Sequence, residues 1–217
     1  MRFADRREAG RLLAERLLLE LPALKDEHPV VLALPRGGVP VAFEVARALA
    51  APLGLVLVRK IGMPLHEEYA LGAIADGEQP VLVVDQHMMA AFDISPKYLD
   101  GAKAAALLEL ERRRRVYLGK RQPIEITGRS AIIVDDGIAT GATTQAALRA
   151  TRQHAPARLI LAVPVAAQDT LSRLEPEADK IVCLEIPADF RAVGQFYVEF
   201  SQLQDAEVNE LLDQARL

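Results

Sequence analysis

The chain has a single cysteine, Cys183, in 217 residues. One thiol excludes an internal disulfide and fits a reducing compartment, the cytoplasm. Cys183 falls in the strand-like run 181–184, where a buried and inert thiol is expected. No apolar run is long enough to span a bilayer, and the first residues hold no signal-peptide core. The four histidines, His28, His66, His87 and His154, are scattered without zinc-ligand spacing, so no structural metal is expected. A basic excess is also missing. The formal net charge is −4 and the sequence pI about 5.7, which argues against a general nucleic-acid binder. No G-x-G-x-x-G opens a helix, so a generic dinucleotide-binding fold is excluded. Aromatic residues are few, six Phe and four Tyr with no Trp. Phe190, Phe196, Tyr197 and Phe200 are therefore a real cluster, either core for the last helix or cover for a ligand site.

Apolar residues are plentiful, at 51%. A chain of this length is expected to form one domain with a full core. Apolar residues at helical spacing, Ala9, Leu12, Leu13, Leu17 and Leu21, predict an amphipathic helix over 6–21 that covers a sheet. Buried strands are expected at 30–34, 53–58, 131–134, 158–165 and 180–184. Helices are expected at 40–50, 142–151, 166–174 and 205–215. This alternation is the signature of an α/β fold with a mainly parallel sheet flanked by helices. Residues 72–76 and 81–85 read as a hairpin around Gly77-Glu78-Gln79-Pro80. Ser95-Pro96 starts a helix, with Ser as N-cap and Pro at N1, that runs to about Tyr117 and stops near Gly119.

Residues 131–143, AIIVDDGIATGAT, carry the strongest signal. A buried strand ends in two carboxylates, Asp135 and Asp136, expected at an exposed strand end where burial costs are small. The loop Gly137-Ile138-Ala139-Thr140-Gly141 then leads into a helix N-terminus. Exposed N–H groups and the positive helix end suit a phosphate dianion. Thr140, Thr143 and Thr144 can add hydroxyl donors. Carboxylates repel phosphate, so the aspartates belong at the hydroxylated end of the same ligand. A plain turn with Asp136 as a helix cap would explain one Asp and one Thr, but not the whole set. A second strand–turn–helix unit ends in Pro35-Arg36-Gly37-Gly38, where the glycines allow close backbone approach and Arg36 adds a cation. The strand at 53–58 delivers Arg59-Lys60 at its C-terminal end, the edge where open α/β sheets bind ligands.

These segments resemble the type I phosphoribosyltransferases. Residues 131–143 match their motif for 5-phosphoribosyl-1-pyrophosphate (PRPP): an apolar strand, two acidic residues, a loop, then Thr-Gly and small residues. Arg36-Gly37 stands where the family has its pyrophosphate loop. Arg59-Lys60, followed by Ile61-Gly62-Met63-Pro64, looks most like the adenine-type branch. The resemblance implies a single domain over 1–217, with a helical insertion at about 86–129 and a hood-like segment at about 185–204. It also implies transfer of phosphoribosyl from PRPP to a nitrogenous base with release of pyrophosphate. In that reading Ile138, Ala139, Thr140, Gly141, Ala142 and Thr143 hold the 5-phosphate. Asp135 and Asp136 accept the ribose hydroxyls and favour a cationic ring. Arg36, Gly37, Arg59 and Lys60 take the pyrophosphate, and Phe196 and Tyr197 lie on the base side. Mg²⁺ is the implied cofactor, held mainly through substrate oxygens, with Asp135 and Asp136 reaching it through water.

The implied partners are PRPP and a base, with no nucleic acid and no membrane, as a monomer or a homodimer. Members acting on 6-oxopurines carry Asp before the Thr-Gly. Here that position is Ala139, which weakens the hypoxanthine-guanine reading. Residues 61–71 resemble the start of the family's mobile loop, where Glu67 and Glu68 either orient a base or leaving group or are simply solvated. The run Arg112-Arg113-Arg114-Arg115 reads as a solvated helix end or as a lid over pyrophosphate. A regulator that binds PRPP or a nucleotide without turnover stands as the alternative function. An RNA-binding regulator of the same fold is disfavoured by the acidic balance.

Overall fold

The computed structural model describes residues 2–215 apart from 65, 78, 120 and 123; the side chains of Glu67 and Glu68 also lie outside the described part. The main sheet is parallel and five-stranded. In chain order its strands are β1 (Val30–Ala33), β2 (Leu53–Leu55), β6 (Ser130–Val134), β7 (Arg158–Val165) and β8 (Lys180–Glu185). Their spatial order is β2-β1-β6-β7-β8, so the strand that ends in Asp135 lies in the middle. A second sheet, antiparallel, has the order β3 (Val58–Met63), β4 (His66–Ala75), β5 (Val81–Val84).

The main strands are apolar at nearly every position because both faces are covered. Val31, Ala33, Ile132, Val134, Ile160, Ala162 and Val182 belong to one core cluster. The residues between them, Val30, Leu32, Ala131, Ile133, Leu159 and Leu161, belong to the other. The first cluster includes residues of α1 (Arg6–Glu20), α2 (Gly38–Leu49), α4 (Pro96–Arg113) and α7 (Asp205–Gln214). The second is built around α5 (Ala142–Arg152), which packs against β6 and β7 on one side and against the antiparallel sheet on the other. The remaining helices, α3 (Gln86–Ala91) and α6 (Gln168–Leu174), are short.

Helix α4 starts as its sequence dictates: the Ser95 hydroxyl accepts from Tyr98 N, and Pro96 sits at N1. It ends in a π-helical turn, Arg114–Leu118, capped at Gly119. The expectation for residues 53–58 needs correction. The run is not one strand: Leu53–Leu55 joins the main sheet, and Val58 begins the antiparallel one. It reads as continuous because α5 is enclosed by two sheets, so both must be apolar at the crossing. No helix is long and apolar enough to cross a membrane among the described residues.

Candidate active site

The turns after β1 and β6 meet at the carboxyl edge of neighbouring strands. Leu34 N donates to Val134 O, and Gly38 N donates to Leu34 O. The two turns pack without space between them. A Cβ built on Gly37 would lie 2.0 Å from Oδ2 of Asp136, and one on Gly38 would lie 2.7 Å from Val134 O. Glycine at 37 is thus required by close approach, not by backbone angle. The Pro35–Arg36 peptide bond is cis. Arg36 and Asp136 therefore share one edge of the main sheet.

Asp135 and Asp136 are less open than an exposed strand end. Asp135 Oδ1 accepts from Asp136 N at 2.9 Å. The Asp136 carboxylate accepts from Arg6 Nε at 2.8 Å, with only 13% of its side chain exposed. Burial pushes the Asp135 carboxyl well above the usual range, and the adjacent Asp136 charge pushes it further. Burial raises Asp136 too, but Arg6 opposes that shift. Of the two, Asp136 is the carboxylate better held in its charged form. The expectation of an exposed pair, with little burial cost, is corrected accordingly.

The loop 137–141 is braced from behind. Ile138 is buried; its N–H donates to Val165 O, and its carbonyl accepts from Ala167 N. Thr170 Oγ1 donates to Ala139 O at 2.6 Å, and Arg173 donates to Thr140 O. Gly141 adopts φ 80°, a left-handed conformation suited to glycine, and starts α5 with no side-chain cap. The first N–H groups of α5, at Ala142 and Thr143, thus lack an intrahelical partner. Ala139 and Thr140 are exposed, Thr143 is half-buried, and Thr144 is buried. Thr144 packs with the inward face of α5, so the hydroxyls on offer are those of Thr140 and Thr143. Asp136 caps no helix.

Arg59 and Lys60 do not extend past a main-sheet strand. They lie within β3, opposite Ile74 and Ala73. There they line a cavity of about 590 Å³ with Gly62, Lys97, Tyr98 and Glu109, between β3 and α4. Ion pairs connect that cavity to Arg36. Glu109 pairs with Arg112 at 2.8 Å, Arg112 lies 3.9 Å from Asp205, and Asp205 lies 3.6 Å from Arg36. Asp205 also accepts the Tyr117 hydroxyl, whose pKa burial and this contact push up to about 12.

Two of the four clustered aromatics, Phe196 and Tyr197, are core, while Phe190 is half-buried and Phe200 exposed. Tyr197 is 1% exposed, with its ring 5.4 Å from Phe3 and 5.0 Å from Phe200. Its hydroxyl donates to the backbone carbonyl of Asp136 at 2.6 Å. Phe196 is buried and stacks on Phe190 at 5.6 Å. Both rings are buried among their neighbours, which lends no support to a base-side placement of Phe196 and Tyr197. Tyr197 supports the Asp136 backbone instead. Glu67 and Glu68 lie outside the described side chains.

Sequence reasoning missed Arg6, Tyr117 and Asp205. Arg6 is 130 positions from Asp136, and Tyr117 is 88 positions from Asp205. No short pattern signals such pairs; only the fold joins them. Among the described residues no group of three or more His, Cys, Asp or Glu could hold a metal ion. Two carboxylates with one oxygen engaged by Arg6 suit a Mg²⁺ that borrows substrate oxygens and keeps waters.

Residues 6–201 match the family model of the phosphoribosyl transferase domain, and the chain belongs to that family. Two Mycobacterium tuberculosis proteins, from strains H37Rv and CDC 1551, are each 46% identical to it over 98% of this chain. Their names assign them provisionally to the phosphoribosyl transferases. The chain spans 47%, about half, of the length of these curated relatives. The crystal structure of TT1426 from Thermus thermophilus is 43% identical, with TM-score 0.79 and 99% of each chain covered. AQ2163 from Aquifex aeolicus shares the fold, with TM-score 0.52 at 15% identity, over 83% of this chain and 74% of its own.

Proposed function

We propose that this chain transfers the 5-phosphoribosyl group from PRPP to a nitrogenous acceptor and releases pyrophosphate. The observation that carries the reading is the meeting of three features at one sheet edge. These are the Arg36-Gly37 turn, the Asp135-Asp136 pair and the uncapped N-terminus of α5. Each suits a different part of one ligand. The N–H groups of α5, with Thr140 and Thr143, take the 5-phosphate. Asp135 and Asp136 accept the ribose hydroxyls and stabilise positive charge on the ring as the anomeric bond breaks. Arg36 and the Gly37 N–H take the pyrophosphate, and Arg59 and Lys60 add cations along the path toward the β3–α4 cavity.

Catalysis in this arrangement is positioning and electrostatics, since the acceptor nitrogen supplies the electron pair and pyrophosphate leaves with its own. Asp135 and Asp136 would help hold a bound Mg²⁺, which would supply charge neutralisation for the departing pyrophosphate. The setting is a reducing cytoplasm, in keeping with the single thiol. A screen for PRPP-dependent pyrophosphate release across purines, pyrimidines and other nitrogen heterocycles, with Mg²⁺ present, tests the reading. Release with one acceptor class, lost in the Asp135→Asn, Asp136→Asn double variant, is expected. PRPP binding without release from any acceptor would instead fit a regulator on this fold.

A further inference from the structure

One charged side chain reaches the candidate site from the far end of the sequence and has no part in the roles above. Arg6 is the first residue of α1. Its Nε donates to Asp136 Oδ2 at 2.8 Å, and its Nη1 donates to Ser201 O at 2.9 Å. Its guanidinium lies 3.9 Å from the ring centroid of Phe200. Phe200 in turn stacks on Tyr197, whose hydroxyl holds the Asp136 carbonyl. The Arg6 and Asp136 side chains are 11% and 13% exposed. A buried ion pair is weak evidence for net stability, because desolvation offsets its attraction. What a guanidinium does supply is a rigid fork that fixes the orientation of its acceptors. Here an edge, a terminal nitrogen and a face are all engaged, and the carboxylate so fixed is the one wedged against Gly37.

We propose that Arg6 is a positioning residue for ribose recognition, fixing the Asp136 carboxylate and tying it to the segment 198–201. The proposal rests on the PRPP reading above. Arg6 holds only the ribose end of the site. Of the groups assigned to pyrophosphate, Arg36 lies beside Asp205 and Arg59 within β3, while the Gly37 N–H, though next to the Asp136 carboxylate, is a backbone group placed by its own turn. Loss of Arg6 therefore weakens a ligand that carries ribose and spares one that does not. The next residue offers an internal control. Arg7 pairs with Glu44 of α2, which keeps a second partner in Arg47.

Calorimetry on the full chain with Mg²⁺, titrating PRPP and separately pyrophosphate, tests this in Arg6→Gln, Arg6→Lys and Arg7→Gln. Arg6→Gln is expected to weaken PRPP about tenfold, the size of one charge-assisted hydrogen bond. Pyrophosphate affinity should stay within about twofold, the scale of a screened charge effect. Arg6→Lys restores part of the loss, because it returns the charge without the fork. Arg7→Gln binds both ligands as the unaltered chain does. If Arg6→Gln does not fold, Arg6→Lys decides, with a selective loss of PRPP affinity expected. Equal PRPP affinity in the Arg6 variants, or equal losses for both ligands, overturns the positioning role while leaving the proposed function standing. An unaltered chain that ignores PRPP overturns the proposed function itself, before any variant is compared, and the Arg6 role with it.

Discussion

A methyl group on Gly37 would sit 2.0 Å from Oδ2 of Asp136, so the turn after β1 and the turn after β6 form one continuous surface. Gly37 has φ −58° and ψ −37°, which any residue adopts. The Gly37→Ala change therefore introduces no backbone strain and acts on the Asp136 carboxylate, which must swing aside. A displacement of this size at a positioned group lowers PRPP affinity by about tenfold to a hundredfold. Gly77→Ala, whose nearest neighbouring atom would be 3.8 Å away, serves as the control and should bind normally. Calorimetry with PRPP checks both; normal binding by Gly37→Ala would separate ribose recognition from Asp136.

Asp205 places a carboxylate 3.6 Å from Arg36, where the proposed function needs a phosphate. Both side chains are about one-third exposed, so the pair is weak and solvent-screened. An incoming polyanion must compete with it and is repelled by it. Asp205→Asn keeps an acceptor for the Tyr117 hydroxyl and removes the charge. Pyrophosphate should bind roughly two- to fivefold tighter, the scale of one exposed ion pair. Weaker binding in a pyrophosphate titration would mean that Asp205 orients Arg36 rather than competing with its ligand.

The parts of this molecule that are local in sequence are legible there. Strand β6, the two aspartates, the loop and α5 follow one another directly, and each step has its own residue signal. Strands β7 and β8 and the Ser95-Pro96 helix start are equally plain. Residues 53–58 mislead because apolar residues serve two sheets in succession, and no breaker marks the crossing at Val56 and Leu57. Phe196 and Tyr197 look like a ligand cover because clustering alone does not tell which way rings face. The Arg6–Asp136 pair is invisible for another reason: it joins residues separated by 130 positions. An arginine at a helix start has no local pattern that names its partner.

Glu109 carries the clearest acid-sensitive contact in α4. Hydrogen bonds from Arg112 and then Arg113 outweigh its desolvation and hold its carboxyl down at about 2, against 4.5 ordinarily. The folded-state value lies below the unfolded one, so the unfolded chain binds the proton first as pH falls. The contribution is fully present above the ordinary value and is lost as pH drops from about 4.5 to about 2. Solvent screening keeps it to about 1 kcal/mol or less. Thermal melts of the unaltered chain and Glu109→Gln should differ most near neutral pH and converge toward pH 2. A gap that widens on acidification would contradict the assignment.

The four arginines where α4 passes into the π-helical turn are the remaining choice between a lid and a solvated helix end. Arg112 and Arg113 both pair with Glu109, and Arg115 pairs with Glu111, all on their own helix. Arg114 pairs with Asp76, just after β4, and so ties the helix to the antiparallel sheet. Ordering a free loop over a polyanion costs conformational entropy that new contacts must offset. Here the arginines already have carboxylate partners, and recruiting them to pyrophosphate would break those pairs. Only Arg112 approaches the Arg36 side, through Asp205 at 3.9 Å. Hydrogen exchange over residues 110–119 should therefore be unchanged by saturating PRPP and Mg²⁺. Replacing all four by Gln should weaken PRPP by about twofold at moderate salt, a long-range charge effect that disappears as salt rises. It should also lower the melting temperature, through loss of the tie to Asp76. Marked protection of 110–119 on ligand binding, with a large salt-resistant loss of affinity in the four-Gln variant, would instead make this turn the lid.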